Sequence, residues 1–252
     1  MTFSQCIITL ISYVSRPQKR KLIRLSYGLK DKTGLEIGGP SAFFNLKSYF
    51  PVYLFAKRID GVNYSAETVW EGKINEGMSY DYANDKQGFQ YISEASELNN
   101  IKNDQYDFLL SCHSLEHVAN PIKALKRWND VLKKNGKLIL VLPDKNFTFD
   151  HSRPYTTFGH LLQDFNENVD EYDTTHFEEI HRLHDITKDD MLNTVEQLKD
   201  RTKENFTNRC VHHHVYSLEL ISELLIHCGF KIEYQQKAPP FHLVTFAEKI
   251  SN

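Results

Sequence analysis

Twelve histidines occur in the 252-residue chain, and eight of them fall between positions 151 and 214. Histidine titrates nearest to neutral pH, so it can move a proton there, and its neutral ring can hold a metal ion. Three groupings have spacings suited to chemistry. Asp150-His151-Ser152-Arg153 sets a candidate base, His151, beside a carboxylate that can orient it and a cation that can hold an acidic group. His181 and His184 share one face if their segment is helical. In the run His212-His213-His214, an extended chain puts His212 and His214 on one side and His213 on the other. Two further histidines follow an apolar stretch: His113 adjoins it and can point into a cleft, and His117, about one helical turn on, can support it. A metal-dependent enzyme is the alternative, because His176, His181, His184 and the 212–214 run, with Glu178 and Asp185, are ligand types for zinc or manganese. Their spacing follows no metal motif, so no metal is assigned. A serine or cysteine hydrolase lacks support, with no G-x-S-x-G turn and with Cys112 inside an apolar run.

A second stretch suits a cofactor. Leu35-Glu36-Ile37-Gly38-Gly39-Pro40-Ser41 reads as a strand, a carboxylate, and a glycine turn into an amphipathic segment, the opening βα unit of a doubly wound fold. Glycine accepts positive φ and lets a ligand approach the backbone closely. Pro40 removes an N–H donor and no third glycine follows, so the loop departs from the dinucleotide fingerprint that cradles a pyrophosphate. It fits a cofactor without phosphate, such as S-adenosylmethionine (SAM), with Glu36, Gly38, Asp60 and Glu94 expected to line one pocket at the C-terminal edge of the sheet. Asp60, near the end of the next apolar stretch, either accepts hydrogen bonds from a ribose or simply opens an Asp60-Gly61 turn.

The totals exclude other classes. Composition is ordinary for a globular protein, at 40% hydrophobic and 25% charged. A formal charge of -3 gives no global pull toward nucleic acid or an acidic membrane. The four cysteines (Cys6, Cys112, Cys210 and Cys228) are scattered, which fits a reducing cytoplasm rather than a disulfide framework. Residues 7–14 are apolar but too short to span a bilayer, and no signal-peptide pattern surrounds them. Nothing in the sequence fixes an oligomeric state.

The elements that must position these groups follow in order. Residues 1–32 are expected to form an N-terminal helical arm, with a basic run from Arg16 to Arg24 read as a solvated face. The single α/β domain spans 33–252. Strands are expected at 34–37, before Asp60, at 90–95, 106–112 and 137–144, with helices at 41–49 (ended by Pro51), near 67–71, and from Pro121 to Asn135-Gly136. From 145 to 210 the α/β rhythm stops. This segment, helical in pieces such as 157–165 and 186–205, leaves the C-terminal end of a central strand and is read as a substrate lid. The rhythm resumes with a helix capped by Ser217 and two strands, 230–236 and 242–249, whose short Ala238-Pro239-Pro240 link makes them antiparallel.

In this order the elements resemble a class I SAM-dependent methyltransferase, over about residues 33–145 and 211–250. Glu36-Ile37-Gly38-Gly39 resembles the family's acidic, glycine-rich first motif, and Asp60 its ribose-holding acid. Glu94-Ala95 resembles the pair beside the adenine. Ser111-Cys112-His113-Ser114-Leu115-Glu116-His117-Val118 resembles the segment after the fourth strand, which in many relatives reads L-E-H-V. Residues 143–165 resemble a branch often associated with surface-polysaccharide genes. The resemblance implies a Rossmann-like, mostly parallel seven-stranded sheet with an antiparallel last strand and a helical insertion. It also implies SAM as cofactor, with Glu36, Gly38, Gly39, Asp60, Glu94, Ala95, Ser111 and His113 around it. The expected acceptor is a small polar molecule, such as a sugar hydroxyl. His151, His113 and His117 are the candidates for proton removal. The altered glycine turn leaves a second expectation, a methyltransferase-like binding protein without catalysis.

Overall fold

The computed structural model describes residues 19–84 and 86–250, so the apolar run 7–14 and Arg16 lie outside the described residues. Helix α1 (Arg20–Tyr27) buries Leu22 and Ile23 and turns its basic residues away from the core. The sheet then assembles from β1 (Thr33–Ile37), β2 (Arg58–Asn63), β5 (Gly77–Ala83), β6 (Lys86–Ile92), β7 (Tyr106–Cys112), β8 (Leu132–Pro143), β9 (Phe230–Ala238) and β10 (His242–Lys249); β3 (Glu67–Thr68) and β4 (Gly72–Lys73) form a separate small hairpin. Strand order is β5-β6-β2-β1-β7-β8-β10-β9. The five inner strands β6-β2-β1-β7-β8 are parallel, and β10 is antiparallel to both neighbours. This is the doubly wound sheet with an antiparallel last strand that the sequence predicts.

Parallel strands covered on both faces must be apolar throughout. Phe108-Leu109-Leu110 and Leu138 to Leu142 are accordingly fully buried. On one face lies α3 (Pro121–Val131), started by Pro121 and by the Asn120 side chain, which accepts from the Lys123 N–H. Its Ile122, Leu125, Trp128 and Val131 join α8 (Leu218–His227) in the larger core. The Trp128 indole donates 2.8 Å to the Ala95 carbonyl and fixes the loop after β6. The other face is aromatic, with Phe43, Phe44, Phe50, Tyr53 and Tyr80.

Several elements differ from expectation, each for a local reason. The sheet has eight strands rather than seven, because β5 adds an antiparallel edge whose Tyr80 and Tyr82 turn inward from an otherwise polar stretch. Residues 41–49 hold only a single 3-10 turn, Ala42–Phe44. Pro51 does not end a helix but caps the start of the short α2 (Val52–Phe55), where proline's missing N–H costs nothing. The segment 67–71 is the β3–β4 hairpin, with Gly72 at positive φ. Helix α3 stops at Val131, ahead of Asn135-Gly136, since β8 begins at Leu132.

The insertion 145–210 carries α4 (Phe158–Asn166), α5 (Phe177–Leu183), α6 (Val195–Lys203) and α7 (Asn205–Asn208). The expected 157–165 helix is α4, capped by Thr157. Of 186–205, a turn at Ile186–Lys188 and α6 are helical, the latter opened by a reciprocal Thr194–Gln197 cap. Ile180, Leu198 and Val211 give this segment a small apolar cluster of its own.

Candidate functional site

A cavity of about 500 Å³ opens where the parallel strands end, a size usual for small-molecule sites. The strand ends contribute Ile37, Gly38, Asn63, Cys112 and Pro143, and the loop after β6 contributes Ser93, Glu94 and Ala95. The insertion supplies the facing wall, including Phe147, Phe149, Glu171, Asp189 and Arg209.

Gly38 needs its residue type. It has φ +73°, and a Cβ there would sit 2.3 Å from Ser114 Oγ, which donates to the Ile37 carbonyl. Glu36 does not line the cavity. It lies fully buried beneath the turn, accepting from Tyr53 OH at 2.6 Å and the Ser41 N–H at 3.0 Å. Gly39 is held above it, where a Cβ would come 2.3 Å from Glu36 Oε1. Burial pushes the Glu36 carboxyl up to about 7, against the lowering hydrogen bonds of Tyr53, Tyr80 and Ser41. A raised carboxyl pKa means that the folded state binds the proton more tightly than the unfolded chain. The stability this contributes is complete below about 4.5 and is lost as pH rises toward 7. Glu36→Gln, neutral throughout, should therefore flatten the fall in stability between pH 5 and 7.5 by about 1–3 kcal/mol, read from denaturant unfolding. Parallel curves for the two proteins would show that Glu36 is ionised in the folded state.

Asp60 is not at the cavity. Strand register explains this: Ile37 pairs with Val62, whereas Asp60 pairs with Leu35 in mid-strand. There Asp60 meets Arg58 at 3.0 Å, Tyr106 OH at 2.8 Å and the Phe89 N–H at 2.8 Å. The polar residue at the strand end is Asn63, whose Nδ2 donates 3.2 Å to the Gly39 carbonyl. Ser111 is buried, away from the cavity lining, with its hydroxyl unpartnered. Glu94 and Ala95 do line the cavity; Glu94 pairs with Arg209, which also holds Glu171 at 3.1 Å and so joins the insertion to the sheet end.

The histidines sort themselves by partner. His151 is outside the lining; its ring is 35% exposed and bonds Asp185 at 2.9 Å. His113 lines the cavity at φ +53°, but its Nε2 is tied to His242 Nδ1 at 3.0 Å, and burial, with His242 and His212, pushes it down to about 3. His117 faces the cavity with Nδ1 donating 3.1 Å to the Val211 carbonyl, and packs against Trp70 and His212. His181 meets Thr202 and His184 meets Asp189, so they do not act as a pair.

Asp150 does not orient His151. It serves His212, across 2.5 Å to Nδ1, and receives Arg153 at 3.0 Å on its other oxygen. Burial works against an ionised Asp150, but His212 and Arg153 outweigh it and hold the carboxyl below the usual range. An ionised carboxylate only accepts, so His212 Nδ1 carries a proton, and the neutral form of the ring keeps its lone pair on Nε2. Beside it stands Glu116, fully buried, both oxygens unpartnered and its carboxyl pushed up to about 7 by burial. Glu116, His117 and His212 each bring one atom within 4.8 Å of the others, and all three line the cavity. Arg153 is buried and donates to the carbonyls of His212 and His213 and to Glu179, so it is not available to hold an acidic substrate. Asn63 was legible as the strand end once the pairing was fixed. The Asp150–His212 pair spans 62 residues and has no local signal.

The methyltransferase domain family matches residues 11–235. The comparison with curated proteins finds no match. Among solved structures, an S-adenosylmethionine-dependent methyltransferase from Mesorhizobium loti is 12% identical, with a TM-score of 0.52 over 92% of this chain and 96% of its own. A candidate methyltransferase from Bacillus halodurans is 13% identical, with a TM-score of 0.52 over 93% of this chain and 100% of its own. A candidate SAM-dependent methyltransferase from Listeria monocytogenes is 16% identical, with a TM-score of 0.50 over 94% of this chain and 100% of its own. With the parallel sheet, the glycine turn at its edge and the family match over most of its length, the chain belongs to the methyltransferase-domain family, the class I SAM-dependent methyltransferases.

Proposed function

We propose that the chain moves a methyl group from SAM to a hydroxyl of a small polar acceptor, a sugar or related metabolite, with His212 as the base that Asp150 orients. The observation that carries this reading is the Asp150–His212 pair, with His212 on the cavity wall beside Glu116 and His117. The cofactor supplies an activated methyl and its own leaving group. The chain's part is to align and to take the proton. Gly38 gives the close backbone, and Asn63, Glu94 and Ala95 bound the nucleoside end. The acceptor oxygen gains the methyl while its proton passes to His212 Nε2. His113, with its Nε2 spent on His242, positions rather than deprotonates. Residues 145–210 act as the lid, contributing Phe147 and Phe149 as apolar cover. The resemblance of 143–165 to a polysaccharide-associated branch is what favours a sugar as the acceptor. Among the described residues no helix is long and apolar enough to cross a membrane, and Cys112, Cys210 and Cys228 are free thiols, which agrees with work in a reducing compartment.

Calorimetric titration with SAM, followed by detection of S-adenosylhomocysteine release over a panel of hydroxylated sugars, tests the proposal. Absence of SAM binding overturns it. The cofactor assignments separate in the same experiment. Asn63→Ala should weaken SAM binding about fivefold, the loss of one hydrogen bond's worth of about 1 kcal/mol. Asp60→Ala should leave SAM affinity within about twofold and lower thermal stability instead, because it strips partners from Tyr106 and Arg58. The reverse pattern would return the ribose to Asp60.

A further inference from the structure

Helix α4 carries His160 and Asp164 one turn apart, so both face the same side. His176, at the start of α5, points its Nε2 at the Nε2 of His160 across 3.2 Å. Asp164 Oδ2 stands 3.5 Å from His160 Nε2. One ligand atom from each of the four residues lies within 4.8 Å of all the others. Tetrahedral zinc, with bonds of about 2.0–2.1 Å, sets its ligand atoms about 3.3–3.4 Å apart. The His160–His176 and His160–Asp164 separations are close to that length with only protein present.

Two buried atoms point to a missing partner. Asp164 is 5% exposed and its Oδ2 has no hydrogen bond. His214 is 1% exposed and donates from Nε2 to the Ala119 carbonyl at 3.1 Å, which leaves its Nδ1 lone pair buried and unpartnered. An imidazole fixed through one nitrogen by a backbone carbonyl, with the other nitrogen free, is the usual arrangement behind a metal ligand. A buried carboxylate oxygen without a partner is costly, and a cation removes that cost.

We propose that the chain holds one zinc ion at His160, Asp164, His176 and His214. None of the four lines the cavity, so the site is closed and structural, distinct from the methyl-transfer chemistry. It ties α4 and the start of α5 to the extended segment that continues into α8, and so anchors the insertion at a point its small apolar cluster does not reach. Three imidazoles and one carboxylate are a donor set for zinc, whereas calcium and magnesium require oxygens. Asp173 and His213 form a second group around the same His176, but with only three ligands.

The test uses the full chain expressed without a polyhistidine tag. Elemental analysis should find about one zinc per chain. Chelator-stripped protein should take up zinc in competition with a chromophoric chelator, and its thermal midpoint should rise by about 5 °C or more. Asp164→Asn and His160→Ala should lose the metal, and His176→Cys should retain it where His176→Ala does not, since a thiolate is an equally good zinc ligand. Far-UV circular dichroism of the stripped variants separates ligand loss from failure to fold. His151→Ala, on the same insertion, should keep full zinc content. The proposal is overturned if wild-type protein neither contains nor takes up zinc, or if Asp164→Asn and His160→Ala retain it at the wild-type level. These readouts stand whether or not SAM binds.

Discussion

His212→Ala is expected to lower methyl transfer by about 10²–10⁴-fold while SAM binding stays within a few-fold of wild type. The cofactor contacts proposed for Gly38, Asn63 and Glu94 do not involve the 212 side chain, so the loss should fall on turnover. Asp150→Asn should also reduce turnover sharply, because an amide can donate to Nδ1 and hold the ring in the tautomer whose Nε2 already carries a proton. His151→Ala should remain near wild type, since that ring bonds Asp185 outside the cavity. Single-turnover rates of S-adenosylhomocysteine formation decide the matter, taken on protein whose metal content is unchanged so that neighbouring His214 is not the cause. If His212→Ala retains full rate while His113→Ala or His151→Ala loses it, the base is misassigned.

Which features were legible follows from how far their causes extend along the chain. The strand β7, the apolar half of β8, the helix capped by Ser217 and the closing hairpin are local statements, written in runs and turn residues, and the structure has them where the pattern puts them, with β8 starting five residues earlier at Leu132. The glycine turn was readable for the same reason: φ +73° at Gly38 is a demand on one residue. β5 was not, because an edge strand with two inward tyrosines has no continuous apolar run. Asp60 shows how a sound local motif misleads. An acid near the end of an apolar stretch looks like a ribose holder, yet β2 runs on to Asn63, paired with β1 as far as Val62 and with β6 at Asn63. The histidines carry the same lesson more strongly. Proximity in sequence joined Asp150 to His151, while folding joins it to His212 and sends His151 to Asp185. The metal-ligand types were visible in composition, but His160 and Asp164 became a pair only through α4, and His176 and His214 reach them from 12 and 50 residues beyond Asp164.

Arg153→Ala is expected to cost about 3–5 kcal/mol of folding stability, the range seen when one partner of a buried ion pair is removed. Its sequence neighbours suggest a substrate-binding cation, but the side chain is 1% exposed and four of its five N–H donors are taken within the chain. Nη1 binds Asp150 at 3.0 Å and the His212 carbonyl at 2.8 Å, Nη2 the His213 carbonyl at 3.2 Å, and Nε the Glu179 carboxylate at 2.8 Å. Truncation removes all four bonds together. Asp150 would retain only His212, two carbonyls would lose a charged donor, and a cavity would replace the guanidinium. Lysine would recover little, because a single ammonium cannot reproduce the fork that spans Asp150, Glu179 and two carbonyls. Arg153→Lys should therefore lie closer to alanine than to wild type. Denaturant unfolding measures both effects. A change below about 1 kcal/mol for Arg153→Ala would mean that the surrounding groups are solvated in solution and that the Asp150–His212 pair is not held from behind. The same substitution should depress turnover of the fraction that remains folded, because the carbonyl of His212 and the carboxylate that orients its ring are fixed by one guanidinium.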